Sequence, residues 1–331
     1  MTNPDPHPTV SVLKSGRPCT AVEVLTPRKV PLGGVRAMTV YRTLPQRSRP
    51  LVGAWCFLDH YGPDDVSTTG GMSVPRHPHT GLATVSWLFT GEIDHLDSGG
   101  NAATVIPGEL NLMIAGSGIT HQEFSTPTTS TLHGVQLWYA LPDETRNTQN
   151  HFAHYAPEPV VNQGFTARVF IGELLDQVSP VDTHTTDLLG AELVISPEET
   201  ITLDVRPDFE YAVLAENTEV TVNSAPTPHR ALAYIPVGSD TLEITAGTEE
   251  ARVLLLGGVP LGEQIVMWWN FIGRTHEEIL EYRRRYQAEM GFDPVHPDDI
   301  GKPALFGHFP PGEPDPLPAP TMPTSRLLPR K

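Results

Sequence analysis

Two short pairs dominate the chemistry this chain can offer: His77-Pro78-His79 and His121-Gln122-Glu123. Together they supply three imidazoles and one carboxylate, a donor set suited to a divalent transition metal. Both pairs lie in segments that read as β-strands between Gly/Pro turns. Alternate residues of an extended strand project to one side, so His77 and His79 can face one way together, as can His121 and Glu123. The expected ligands are therefore His77, His79, His121 and Glu123, at about 2.0–2.3 Å from the metal. Such a set carries a single negative charge, leaving a divalent ion with residual positive charge and open positions for water or a small molecule. Imidazoles suit iron, nickel, copper or zinc, and the carboxylate keeps manganese and iron open. In a chain with 14 histidines a lone His-x-His would mean little. The second pair, its strand context and the nearby Gly81 and Gly118, which relieve crowding, give it weight. His60, His95 and His133 read as ordinary core-edge or surface histidines, with a supporting role behind the ligands as the alternative.

Positioning these residues requires a sheet that returns to its starting point, and the sequence supplies one. AMTVYRTL and LVGAWCFLDH read as early strands. LATVSWLF, IDHLDS, ATVI, NLMIA and LHGVQLWYAL follow, separated by Gly91, Gly99-Gly100-Asn101, Pro107-Gly108 and Gly116-Ser117-Gly118. Short strands at such spacing mark a sandwich or barrel. Residues 142–160 are polar and read as a linker. Beyond them ARVFIGEL, AELVIS, ITLDV, EYAVLAE, EVTVN, ALAYIPV, LEITA and ARVLLLGG repeat the spacing, which suggests two similar β-domains. One helix is legible: Thr275 with Glu278 forms a capping-box pattern, and HEEILEYRRRYQAEM runs on to Gly291. Its Ile279, Tyr282 and Tyr286 share a face and should pack on the body, leaving Arg283 and Arg284 more exposed. The 11 prolines of residues 291–331 preclude regular structure. That tail is either mobile or laid across the body as an extended arm.

Composition narrows the function classes. The chain has 331 residues, 34 prolines and 28 glycines, a balance suited to many short strands. Its formal charge of −17 disfavours direct nucleic-acid binding, which needs concentrated basic surface. Cys19 and Cys56 are the only cysteines, too few for a disulfide framework or a thiolate metal site. The opening MTNPDPHPTV lacks a signal-peptide pattern, and no apolar run approaches the roughly 18 residues of a spanning helix. A cytoplasmic monomer is expected, with no membrane contact. No GxxxxGKS, GxSxG or dinucleotide fingerprint is present; the Gly-x-Gly at 116–118 lies between strands.

The stretch FLDHYGP, followed by HPHTGLATVSWLFTGEIDHLDSGGNAATVIPGELNLMIAGSGITHQE, strongly resembles the pirin family of the cupin superfamily. The likeness is specific through residues 34–138, weaker in the second β-region, and resumes in LLLGGVPLGEQIVMWWNFIGRTHEEI. It implies an all-β fold of two stacked cupin-like β-sandwich/barrel domains with a C-terminal helix. The metal-binding domain would span 16–145 and a metal-free one 146–272. The helix at 273–290 would bridge back to the first, and a proline-rich tail would span 291–331. The family's His-Pro-His falls on His77 and His79, and its His-x-Glu on His121 and Glu123. Iron is the metal the resemblance implies, with Mn, Ni, Cu or Zn as substitutes. Where many pirins read HPHRGFET this chain reads HPHTGLAT, with Thr80, Leu82 and Ala83 in place of the basic residue, the aromatic and the glutamate. Loss of that glutamate is expected to alter pocket acidity rather than metal binding. Two activities follow from the resemblance. One is a quercetin 2,3-dioxygenase cleaving flavonols with O₂, with Glu123 as both ligand and catalytic base and Trp87, Phe89, Met113 and Phe124 as candidates for an apolar mouth. The other is a metal-containing regulatory module that binds a protein partner.

Overall fold

The computed structural model describes residues 11–13, 21–32 and 38–327. Cys19 lies outside them; Cys56 is buried and free. The named strands pair antiparallel throughout. In the first half a seven-stranded sheet runs in the order His151–Tyr155, Leu110–Ile114, Leu82–Thr90, Thr131–Ala140, Trp55–Asp65, Met38–Leu44, Arg28–Leu32. Against it lies a four-stranded sheet ordered Ser73–His79, Ile119–Ser125, Ile93–Asp97, Ala102–Val105. The second half repeats this plan with another seven-stranded and another four-stranded sheet. The architectural repeat anticipated from strand spacing is therefore present.

Two pairings depart from the linear reading. Within the polar segment 142–160, His151–Tyr155 forms a strand on Leu110–Ile114, with Met113 opposite Phe152. It is an edge strand with an open face, so its polar residues are tolerated where a central strand would not allow them. Glu23–Leu25, which the sequence reading placed in the first unit, pairs with Leu232–Ile235 of the second large sheet. Local periodicity carries no information about a partner some two hundred residues away.

One apolar cluster runs through both halves. Trp87 stacks on Phe170 with ring centroids 4.5 Å apart, and Phe57, Val135, Leu214 and Leu254 belong to the same buried body. Polar ties reinforce it: Trp55 Nε1 donates to the Leu189 carbonyl at 3.1 Å, and the Gly53 amide to Glu210 at 2.7 Å.

The C-terminal segment returns to the first half. Ile265–Trp268 and Phe271–Gly273 form a hairpin, and the Ile272 amide donates to the Thr80 carbonyl at 3.0 Å, one residue beyond His79. The helix spans His276–Glu289; Thr275 caps it by accepting the Glu278 amide at 3.2 Å. The Glu278 carboxylate turns back toward the Thr275 amide and also accepts the Arg274 amide at 2.6 Å. Ile279 and Tyr286 are buried and Tyr282 packs beside them, against Trp268, Trp269 and Phe271. Arg283 and Arg284 are less covered than Ile279 and Tyr286, yet Arg283 donates to the Pro320 carbonyl and Arg284 pairs with Asp299.

The tail therefore lies across the body as an extended arm, the second of the two courses open to it. Phe306 is fully buried among Phe271, Tyr286 and Ile279. Truncating a buried aromatic side chain costs about 3–5 kcal/mol. Phe306→Ala is accordingly expected to lower unfolding free energy by that amount in a urea titration, whereas the exposed Val295→Ala should change it little.

Candidate metal centre

The two strands that carry the candidate ligands are neighbours, with His121 opposite His77 in the ladder. Between His121 and Glu123 the register slips, because Ser73–His79 carries one extra residue there, Pro75 and Arg76 together standing opposite Gln122. A bulge there suits proline, which has no amide to give the ladder, and bulges commonly re-aim side chains at functional sites. The carbonyl of Pro75 faces His77 Nδ1 at 2.9 Å. The Arg76 carbonyl accepts the Leu317 amide of the C-terminal arm at 2.8 Å. Strand alternation directs Arg76, Thr120 and Gln122 outward and the histidines inward. The arm holds the outer face: Thr120 Oγ1 donates to the Phe306 carbonyl at 3.0 Å and Arg76 Nη2 to the Gly307 carbonyl at 2.7 Å. Gly81 and Gly118 do relieve crowding, because a Cβ would come within 2.4 Å of the Ile272 carbonyl at the first and 2.9 Å of the Leu305 carbonyl at the second.

Inside, the ring nitrogens of His77, His79 and His121 lie within 4.8 Å of one another. His79 Nε2 and His121 Nε2 are 3.0 Å apart. Glu123 groups with His121 and with His95 at the same spacing. All four residues proposed from sequence are fully buried. Burial lowers the His77 pKa to about 3 and carries those of His79 and His121 well below the ordinary value, with neighbouring imidazoles adding to the effect. The rings are thus neutral near pH 7, the state in which imidazole binds a metal. His77 Nδ1–H donating to Pro75 leaves Nε2 as the lone-pair atom, and that Nε2 has no hydrogen-bond partner.

His95 supports His121. Its Nδ1 lies 3.3 Å from His121 Nδ1, and its Nε2 lies 3.4 Å from Asp97 Oδ2. If His95 donates to Asp97, its Nδ1 accepts from His121 and fixes the lone pair of His121 on Nε2, facing His79. Burial pushes the Asp97 carboxyl up, but hydrogen bonds from His95 and Asn101 outweigh it and hold the group below the usual range. Groups that orient a ligand in this way are typically worth 10–100-fold in metal affinity. His95→Phe is expected to weaken metal binding by about that factor, measured by competition with a chromogenic chelator. His60 and His133, the other two candidates for such a role, lie elsewhere and meet Glu216.

The surrounding wall differs in part from the one expected. Trp87 and Phe89 point to the outer face of the large sheet, toward the second half. Met113 does lie on the inner face, opposite Thr84, where it packs with Ile119 and with Phe152, whose ring is 5.0 Å from His95. Other residues that reach the cluster are Trp138, 5.1 Å from His79 and stacked on Phe57 at 4.0 Å, together with Ser86, Gln136 and Tyr61. Ser86 Oγ is 3.4 Å from Glu123 Oε1 and 3.0 Å from Gln136 Oε1. Alternation along Thr131–Ala140, Leu82–Thr90 and Trp55–Asp65 would have found them had the sheet order been known. Ala83 stands on the opposite face of its strand from Ser86, within the apolar cluster. Its missing carboxylate therefore has no bearing on pocket acidity. Ala83→Glu is expected to destabilise the fold by burying an unpaired charge, visible as a lowered melting temperature, rather than to tune the site.

The pirin family profile matches residues 35–139 and that of the pirin C-terminal cupin domain matches residues 190–292. A Pseudomonas aeruginosa protein that carries a provisional quercetin 2,3-dioxygenase name is 39% identical over 281 residues, covering 83% of this chain and 88% of its own length. This chain belongs to the pirin family. A pirin-like protein of Caulobacter vibrioides is 33% identical over 75% of the chain and 88% of its own. The crystal structure of quercetin 2,3-dioxygenase from Acinetobacter baumannii superimposes with a TM-score of 0.82 at 33% identity, covering 92% of this pirin and 96% of that chain. A bacterial pirin of Escherichia coli solved with nickel(II) shares the fold, at a TM-score of 0.56 and 18% identity over 72% of this chain and all of its own. Among the described residues no helix is long and apolar enough to cross a membrane.

Proposed function

We propose that this pirin is a metal-dependent dioxygenase that acts on flavonols, with His77, His79, His121 and Glu123 as the metal ligands. The observation that carries this reading is the gathering of the neutral imidazoles of His77, His79 and His121 on the inner face of the first half, with the Glu123 carboxylate grouped with His121 and the Nε2 of His77 left as its lone-pair atom. The Acinetobacter and Pseudomonas relatives, by their names, support the reaction class. The donor set fits iron first, and equally accommodates manganese, nickel, copper or zinc. A bound divalent ion supplies Lewis acidity toward the 3-hydroxyl/4-carbonyl pair of the substrate and the redox chemistry that dioxygen requires.

The remaining work falls to side chains. Glu123 accepts the proton of the 3-hydroxyl, since the three imidazoles are committed to the metal through their lone pairs. Trp138, 5.1 Å from His79 and held by its stack on Phe57, is the indole against which a flat substrate would lie. Tyr61 is kept protonated, because burial first and the Glu123 charge second raise its pKa well above 10. It therefore serves as a hydrogen-bond donor.

The deciding experiment is an aerobic assay of metal-analysed protein against a panel of flavonols. Dioxygen-dependent ring cleavage is the expected result. Full metal content without turnover on any flavonol would reject the reading in favour of a regulatory module that binds a protein partner.

A further inference from the structure

A second cluster of ligand-type side chains lies where the two halves meet. His60 sits on Trp55–Asp65 and His133 on Thr131–Ala140, both in the first large sheet. Glu216 directly follows Glu210–Ala215 of the second. Alternation separates this cluster from the first: Tyr61 faces the Glu123 side, so its neighbour His60 faces the opposite way, toward the second half. The cluster shares no residue with His77, His79, His121 and Glu123.

Three donor atoms converge there. His60 Nε2 and His133 Nε2 are 3.2 Å apart. Both approach one oxygen, Glu216 Oε1, at 3.3 Å and 2.6 Å respectively. Ligand atoms bound to a common ion at about 2.0–2.2 Å are spaced about 3.0–3.5 Å. Two of the three separations already fit, and the third needs to open by about half an ångström to fit.

Hydrogen bonding satisfies only part of the arrangement. With a proton on each Nε2, both N–H groups donate to one carboxylate oxygen, which can accept both, and His60 Nδ1 is left without a partner. Moving the His60 proton to Nδ1 places it on a buried atom with no partner. That second tautomer turns the Nε2 lone pair of His60 toward His133 and Glu216, as a cation there would require, and Glu216 Oε2 is buried without a hydrogen bond. A cation would engage all three facing atoms at once.

Charge and access are compatible with one. Arg252 stands 3.6 Å from Glu216 Oε2, but its Nε is paired with Glu192 at 3.0 Å. Arg230 donates to the Gly62 carbonyl at 2.7 Å and lies over Tyr41. His60 and Glu216 are fully buried, whereas His133 is 8% exposed and marks the path by which an ion and a completing water would enter.

From this geometry we infer that His60, His133 and Glu216 form a second site for a divalent transition metal, which fastens the first half of the chain to the second. Two imidazoles and one carboxylate suit zinc or iron(II), with further positions left to water. Because each half supplies part of the ligand set, the ion resists their separation and stabilises the folded chain in proportion to its occupancy.

The test uses the full chain and Co²⁺ as a spectroscopic probe, in a His79→Ala background that removes the first cluster. That variant is expected to bind one equivalent of Co²⁺, with visible d–d absorption and a raised melting temperature. Adding Glu216→Gln, or separately His133→Asn in case either change impairs folding, should abolish both signals. A His79→Ala protein that binds no Co²⁺ would overturn the inference. So would an unchanged equivalent in the folded double variants. Flavonol turnover does not enter the readout, so failure here is distinct from failure of the dioxygenase reading.

Discussion

Glu123→Gln is expected to lower flavonol turnover by about 10²–10⁴-fold at matched metal content, the usual contribution of a positioned general base. The substitution keeps the shape of the side chain and one carbonyl oxygen while removing the proton-accepting charge. It therefore separates base chemistry from packing in a site with no exposed surface. Occupancy must be measured in the same samples, because a weaker ligand sheds metal and would mimic a loss of catalysis. Ser86→Ala provides the contrast. The serine hydroxyl has one proton to donate, and at 3.0 Å Gln136 is the better acceptor than Glu123 at 3.4 Å. Removing it should cost activity far less than changing Glu123. Metal-loaded Glu123→Gln at the parental rate would show that the proton leaves by another route.

Much of this architecture was legible before any coordinates. Strand spacing and turn residues revealed the strands of both halves because each is a local signal, an apolar run closed by Gly or Pro. The same was true of the helix, where Thr275 and Gly291 bracket an amphipathic run. The pairs His77/His79 and His121/Glu123 stood out because a two-residue alternation is visible in any strand. What stayed hidden depends on pairing between distant segments. The wall residues Trp138, Ser86 and Tyr61 reach His79 and Glu123 only through the sheet order. Trp87 and Phe89 were mistaken for a mouth because period-two patterning assigns residues to faces without saying which face is the inside. The His60, His133 and Glu216 group illustrates the same limit more sharply. Its carboxylate comes from the other half of the chain, and nothing near residue 60 or 133 points to residue 216. The arm was undecidable for a related reason: prolines forbid a helix or central strand but leave open where an extended segment will dock. Its anchors, the Thr120 hydroxyl and the Arg76 carbonyl, belong to the strands that carry the histidines.

His79→Ala is expected to empty the first cluster, lowering its metal affinity by about 10²-fold or more and abolishing measurable flavonol turnover. Binding free energies of four-ligand metal sites, about 10–16 kcal/mol, average to roughly 3 kcal/mol for each ligand, or about two decades. Loss here should exceed that mean, because His79 contacts both remaining parts of its surroundings. Its Nε2 is 3.0 Å from His121 Nε2, and its ring meets Trp138 edge to face at 5.1 Å. Without it, the indole gains a void to relax into, and His121 loses the neighbour that faces its lone pair. The fold itself should survive, since the ladder between the two ligand strands is made by backbone groups and their outer face is held by the C-terminal arm. Far-ultraviolet circular dichroism unchanged from the parent, with the first-cluster metal gone from elemental analysis, is the predicted outcome. Should the inference of a second site hold, one equivalent remains at the junction of the halves and yields no turnover. Full parental metal content with parental activity in this variant would remove His79 from the ligand set, and the dioxygenase reading would lose the geometry on which it stands.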